Sequence, residues 1–217
     1  MLISTYRKVK RSISKKVKSR VLKKRGSKVI HKLEEVLSKA GVVYHFDMGT
    51  LLGIVREGAL IGHDLDIDIA VHLRNGKERE PLLDTLKRFK IQQIHSYTVE
   101  TIGVVEDSFR ISGVKFDISY YWVDEKNKSI CYLLYDDTPG WKNAQRGLYK
   151  CVKLTASNIV STKKIEFAGK EITVPAEPEK LLTERYGDKW RVPDKNYLYW
   201  LGPSAEKIPL SGYRKVF

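Results

Sequence analysis

From position 64 to 69 the chain reads Asp-Leu-Asp-Ile-Asp-Ile, charge and hydrocarbon in strict alternation. A repeat of two is the period of a β-strand, so Asp64, Asp66 and Asp68 are expected on one face and Leu65, Ile67 and Ile69 on the other. Aspartate is depleted in strands, and same-face neighbours stand about 7 Å apart. Three like charges in such a row must be solvated, spread apart or bridged by a cation. A solvated edge strand guarded by charge is the plain alternative. The apolar opposite face and the Gly49-Thr50 turn shortly upstream argue against it. Hard divalent ions such as Mg²⁺ favour carboxylate oxygens together with substrate phosphates.

The surrounding pattern places this strand. Residues 42–47 form a first, largely apolar strand, and Gly49-Thr50 turns the chain into a short helix at about 50–56 carrying Leu51, Leu52, Ile54 and Val55. Gly58 and Gly62 flank a loop that leads into the acidic strand at 64–72. Further on, Phe116, Ile118 and Tyr120 alternate with Lys115, Asp117 and Ser119, which makes a second half-buried strand with a carboxylate on its polar face. Alone, Asp117 reads as an ordinary hydrogen-bonding residue. Beside Asp66 and Asp68 it is the natural third acid.

Composition sets the outer bounds. At 217 residues with 42% hydrophobic side chains, the chain suits one globular domain with an appendage. No run of eighteen apolar residues offers a membrane span. The start lacks the apolar core of a secretory signal, so export is not expected. Cys131 and Cys151 have no metal-ligand spacing and read as buried thiols of a reducing compartment, not a disulfide or zinc site.

The net charge of +14 is concentrated at one end, because residues 1–28 hold twelve Lys or Arg and no acid. The rest is nearly neutral. Tyr6, Val9, Ile13, Val17 and Val21 recur at helical spacing, giving a basic amphipathic segment over residues 1–26 with a narrow apolar seam. That suits an electrostatic anchor on anionic lipid. Nucleic-acid binding and a merely solvated tail are the alternatives, and nucleic acid is not expected as a partner. Residues 27–217 are then the catalytic domain.

Other elements follow from periodicity and turn chemistry. A helix is expected at 27–40, closed by Gly41, and another begins near Pro81 after an Asn75-Gly76 turn. Strands or a hairpin occupy 91–105 and 108–112, and a further strand 129–135. Residues 136–158 are poorly patterned beyond a turn at 136–140. Residues 165–174 make a hairpin around Gly169, and a helix from Pro178 ends at Gly187. From Trp190 onward the chain is expected to wrap the body.

An apolar strand, a Gly-Thr turn into a helix, an Asp-x-Asp strand and a later third Asp together resemble the nucleotidyltransferase fold: α+β, a mixed β-sheet flanked by helices. Within it, Gly49-Thr50-Leu51-Leu52-Gly53-Ile54-Val55-Arg56-Glu57-Gly58 followed by Asp64-Leu65-Asp66-Ile67-Asp68 resembles the LicD family, which includes the fukutin-related proteins. The hairpin ending at Val174-Pro175, Leu181-Leu182 and Tyr186-Gly187-Asp188-Lys189-Trp190 with Pro193 is similar to that family's C-terminal signature. The resemblance covers roughly residues 29–194. One departure is Leu65, where the family commonly carries an additional Asp.

The resemblance implies transfer of a phospho-alcohol, phosphocholine or a polyol phosphate, from a CDP-activated donor to a glycan hydroxyl or its lipid-linked precursor at the cytoplasmic membrane face. Asp66 and Asp68 would hold Mg²⁺ or Mn²⁺, with Asp64 as a partner or further ligand. Asp117 would be a third ligand or the base. Gly49, Thr50 and Arg56 would meet phosphate. Tyr186 and Trp190 either line a pocket or pack in the core. A nucleotidyltransferase acting on RNA, protein or a small molecule, and a non-catalytic basic binding module, are the competing readings.

Overall fold

The computed structural model describes residues 2–217 other than Asn75, Gly140 and Lys195, with side chains from Ser14 onward. Asn75 of the expected Asn75-Gly76 turn, Gly140 of the 136–140 turn, and Tyr6, Val9 and Ile13 of the basic seam thus fall outside the described side chains.

The acidic strand and its neighbours form as their alternation requires. The strand β1 (Val43–Phe46) leads into the helix α2 (Met48–Glu57), which buries Leu51, Leu52 and Ile54. It stops at Gly58, whose left-handed φ of 63° lets its N–H reach back to the Gly53 and Ile54 carbonyls. The next strand, β2 (Asp66–His72), buries Ile67, Ile69 and Val71, and β5 (Val114–Val123) buries Phe116, Ile118 and Tyr120. The long helix α1 (Leu2–Ser38) packs across β2 and β5 with Ile30, Leu33, Val36 and Leu37 fully buried. Each such side chain contributes about 1.5–3 kcal/mol on burial.

Between β2 and β5 come α3 (Arg79–Arg88), β3 (Gln92–Val99) and β4 (Gly103–Ile111); after them β6 (Lys128–Tyr135), the short α4 (Lys142–Gln145) and β7 (Leu148–Ser157). A separate hairpin, β8 (Thr162–Phe167) and β9 (Lys170–Pro175), precedes α5 (Pro178–Tyr186), and the chain finishes in β10 (Ala205–Val216). The main sheet runs β1-β2-β5-β4-β3-β10-β7-β6. Only β2 and β5 pair in parallel; the other neighbours are antiparallel. Because β5 pairs with β4 along its first half and with β6 through Tyr121–Val123, six strands close on themselves. Closure protects edges that would otherwise pair with other chains.

Four expectations change. The acidic strand starts at Asp66, so Asp64 sits in the preceding turn with its N–H on the Ile61 carbonyl. The helix expected at 27–40 is continuous with the basic segment, since α1 is unbroken from Leu2. It is docked from Ser19 onward: Ser19 Oγ donates to the Gly62 carbonyl (2.8 Å), Leu22 is buried, and Arg25 donates to the Ser112 carbonyl (2.7 Å). The poorly patterned stretch contains β7, whose alternation is blurred by Lys150 and Lys153 flanking buried Cys151 and Val152. The C-terminal residues do not merely wrap the body, because β10 is inserted between β3 and β7. Pro209 and a register shift between Ile208 and Ser211 disguise it in the sequence.

Both cysteines are buried free thiols. Among the described residues no helix is long and apolar enough to cross a membrane.

Candidate active site

Strand register builds the site. Asp66 lies opposite Lys115 and Asp68 opposite Asp117, while β4 places Ser108 opposite Asp117 and Glu106 opposite Ser119. Cross-strand partners share a face, so these groups project together, away from α1. All but Ser108, which is fully buried, line a cavity of about 650 Å³ held in the curve of the closed sheet. Tyr97, Tyr149, Tyr186 and Tyr199 furnish much of its remaining wall, with Trp141 and Arg214.

The acids are crowded. Burial first, then the carboxylates of Asp66, Asp117 and Asp64, push the Asp68 pKa well above the ordinary range. Burial also raises Asp117, although the Lys115 ammonium beside it offsets part of the effect. Burial lifts Asp64 to about 6 and, with the Asp117 charge, Glu106 to about 8. Lys115 donates to Asp66 (3.0 Å) and to Asp117. Burial opposes its charge, but these two carboxylates hold its pKa well above the usual lysine value. One ammonium does not balance this set of acids, and the surplus favours a proton or an added cation.

The other expected residues have distinct places. Gly49 lines the cavity, and a Cβ there would lie 3.1 Å from Asp64 Oδ2 and 3.4 Å from Asp68 Oδ2. That distance brings Asp64 into the cluster although it is off the strand. Thr50 is fully buried; its hydroxyl accepts the Asp68 N–H (2.9 Å) and its own N–H points to Asp68 Oδ2 (3.4 Å). Its hydroxyl therefore fixes Asp68 instead of facing a phosphate. Arg56 donates to Glu57 (3.0 Å from Nε) and does not line the cavity. Tyr186 lines the cavity, whereas Trp190 is core.

Sequence reasoning missed several groups. Glu106 fell in the gap between the expected stretches 91–105 and 108–112, which are the hairpin of β3 and β4, with β4 running unbroken through the gap. Lys115 was legible from its alternation with Asp117. No linear signal pointed to Asp47, which is buried with Arg185 across a separation of 138 residues. Arg185 also donates to Tyr121 Oη (2.9 Å), and Tyr121 donates to Asp47 Oδ2 (2.7 Å). Against its burial, the Arg185 guanidinium holds the Asp47 pKa below the ordinary range. This triad clamps α5 to the β1–α2 junction beneath the cavity.

Among the described residues no three His, Cys, Asp or Glu side chains converge closely enough to ligate one ion as they stand. The cation between Asp66 and Asp117 is Lys115. Three features nevertheless suit a hard divalent ion: all donors are carboxylate oxygens, Asp117 Oδ1 is buried without a hydrogen-bond partner, and the absence of a side chain at Gly49 lets the Asp64 and Asp68 carboxylates come close to the backbone there.

Comparison with known proteins completes the picture. Residues 41–177 match the family described as LicD/FKTN/FKRP, nucleotidyltransferase domain. The chain is 23% identical over 186 residues to the ribitol-5-phosphate transferase FKTN of Macaca fascicularis and of Mus musculus, and 22% identical to that of Homo sapiens. These alignments cover 83% of this chain and 36% of each relative, so the chain spans about a third of their length. Two solved structures share a distant likeness. The lincosamide antibiotic adenylyltransferase LnuA bound to lincomycin aligns at TM-score 0.42 and 12% identity, covering 71% of this chain and 83% of its own. ANT(2″)-Ia with adenylyl-2″-tobramycin aligns at 0.41 and 13%, covering 80% and 81%. The match over most of the chain, containing the acidic strand, its glycine turn and Asp117, shows that this protein belongs to the LicD/FKTN/FKRP family of nucleotidyltransferase-fold domains.

Proposed function

We propose that this chain is a metal-dependent transferase that moves a phospho-alcohol, phosphocholine or a polyol phosphate, from a CDP-activated donor to a hydroxyl of a glycan or its lipid-linked precursor. The observation that carries this reading is the convergence of Asp66, Asp68 and Asp117 on one cavity, in a family whose relatives include ribitol-5-phosphate transferases.

In this reaction the acceptor oxygen bonds to the phosphorus that bears the alcohol, the bridging P–O bond breaks, and CMP leaves with the electron pair. Such transfers require positioning and charge neutralisation more than covalent work by the protein. Asp66, Asp68 and Asp117, with Asp64 beside them, would hold Mg²⁺ or Mn²⁺. When bound, that ion supplies positive charge against the donor's diphosphate. Thr50 keeps Asp68 in place, and Gly49 lets the backbone come close to the phosphates. Asp117 and Glu106, both with raised proton affinity, are the carboxylates placed to take the acceptor's proton. The tyrosine-lined wall gives rings for stacking.

The reading includes a location. Lys15, Lys16, Lys18, Arg20, Lys23 and Lys24 are exposed along α1 before and within its docked part, and Val17 is 52% exposed. We take this segment as a peripheral anchor on the anionic cytoplasmic face of a membrane, where each basic side chain near the surface adds about 1 kcal/mol.

The test is Mg²⁺-dependent release of CMP from CDP-choline, CDP-glycerol, CDP-ribitol and CDP-ethanolamine, with Asp68→Asn as the blank. Transfer of labelled alcohol phosphate supports the reading. Transfer of a labelled nucleotide from CTP or ATP, with no CDP-alcohol consumed, would replace it with nucleotidyl transfer.

A further inference from the structure

The cavity wall formed by the last strand carries a second charged group. Arg214 stands on β10, beyond residues 41–177 that match the family. The register of β10 against β7 shifts between Ile208 and Ser211, and such irregularities re-aim the side chains that follow. After the shift, Gly212 lies so close to β3 that a Cβ there would sit 2.5 Å from the Thr98 carbonyl oxygen. Two residues on, Arg214 is paired with Tyr97 of β3, and both line the cavity. Pairing with β7 ends one residue earlier, at Tyr213 opposite Leu148. The guanidinium thus enters the cavity where the β7 wall stops.

Among the described residues two cations line this cavity, Lys115 and Arg214. Lys115 is held by Asp66 and Asp117. Arg214 forms no ion pair with any described residue, is half-buried, and has its Nε shut off from solvent without a hydrogen-bond partner. Drawing a guanidinium out of water without an acceptor is costly unless a ligand supplies one. A planar fork of N–H donors matches a phosphate in two-point fashion. We propose that Arg214 binds a phosphate group of the substrate inside this cavity, facing the carboxylate cluster. The inference rests on the phosphotransfer reading above. The phosphate has two possible sources, the diphosphate of a nucleotide donor or a phosphate carried by the acceptor.

The test measures binding without turnover. The full chain and its Arg214→Met and Arg214→Lys variants, checked by thermal melting, are titrated with inorganic pyrophosphate, CDP and glycerol 3-phosphate, with and without Mn²⁺. The expected result is a loss of about 10- to 100-fold in affinity for Arg214→Met and a smaller loss for Arg214→Lys, which keeps the charge but not the fork. A loss confined to pyrophosphate and CDP assigns the donor; a loss confined to glycerol 3-phosphate assigns the acceptor. Should Arg214→Met melt early, Arg214→Gln takes its place. Equal affinities in wild type and variants, or no binding of any of the three by wild type, overturn the proposal. An Arg214-dependent affinity in a protein that consumes no CDP-alcohol would instead sink the phosphotransfer reading and leave the anion site standing.

Discussion

Asp68 and Asp117 stand directly opposite each other in the parallel register of β2 and β5. Two carboxylates from separate segments therefore meet inside one cavity, where burial and then the charges of Asp66 and Asp117 make Asp68 harder to ionise. The protein alone does not neutralise them, so the site is built at the expense of stability.

Removing one of these charges should separate stability from function. In chelator, Asp68→Asn and Asp117→Asn are expected to melt higher than wild type, by about 2–4 °C for each kcal/mol of repulsion relieved. Saturating Mn²⁺ should raise the wild-type melting temperature and leave both variants nearly unmoved. Donor turnover should fall by roughly 10²–10³-fold or more. Variants less stable than wild type in chelator would mean the carboxylates are structural.

The same crowding fixes a pH dependence. Asp64 and Glu106 have folded pKa values raised from 3.8 to about 6 and from 4.5 to about 8. Between those limits these two groups bind more protons in the folded state than in the unfolded one, so their contribution to stability falls as pH rises. Burial lowers the pKa values of His45, His72 and His95, which makes stability rise with pH up to about their ordinary value of 6.5. The decline of melting in chelator should therefore show from about pH 6.5 to pH 8, where divalent ion should recover most. The opposing contribution of Asp47, whose pKa is lowered, acts below its ordinary value of 3.8, outside that window. A rising or flat profile in chelator over that range would refute the raised values.

Arg185 is a structural residue. Both it and Asp47 are buried, at 3% and 1% exposure, so Arg185→Met strands an unpaired carboxylate. Urea denaturation should show a loss of about 3–5 kcal/mol. The double variant with Asp47→Asn should be less destabilised than Arg185→Met alone, since no charge is then left behind. Additive losses would show that the two residues are not coupled.

Two glycines of α2 should respond differently. At Gly53 a Cβ would lie 2.6 Å from the Ala59 carbonyl oxygen, so Gly53→Ala should cost about 1–3 kcal/mol. At Gly49 the neighbours are the carboxylates of Asp64 and Asp68, at 3.1 and 3.4 Å. Gly49→Ala should leave melting almost unchanged in chelator and weaken Mn²⁺ binding. The reverse ranking in a melting assay would contradict the packing described.

Truncation should find the junction between the proposed anchor and the docked part of α1 at Ser19. Deleting residues 1–18 is expected to reduce binding to phosphatidylglycerol vesicles, steeply with salt, while preserving the melting temperature. Deleting residues 1–26 removes Leu22, which is buried, and Gly26, where a Cβ would lie 2.3 Å from Leu60 Cδ1. That protein should melt lower. Unchanged vesicle binding after the shorter deletion would remove the support for a membrane location.

What the sequence determined by itself was local. Alternation in Asp66–His72 and Val114–Val123 fixed two strands, their apolar faces and the carboxylates opposite, because a period of two leaves a side chain no choice of face. Asp66, Asp68 and Asp117 were legible for the same reason, whereas Asp64 lies in the turn before the strand and joins them beside Gly49. Tertiary structure alone decided what met them. Parallel pairing set Asp68 against Asp117, closure of the sheet made the cavity, and β10 brought Arg214 to a wall far from it in sequence. Burial then gave Asp47 to Arg185 and turned the Thr50 hydroxyl onto the backbone of Asp68. Those partnerships depend on which strands lie side by side, and no pattern along a single strand encodes its neighbour.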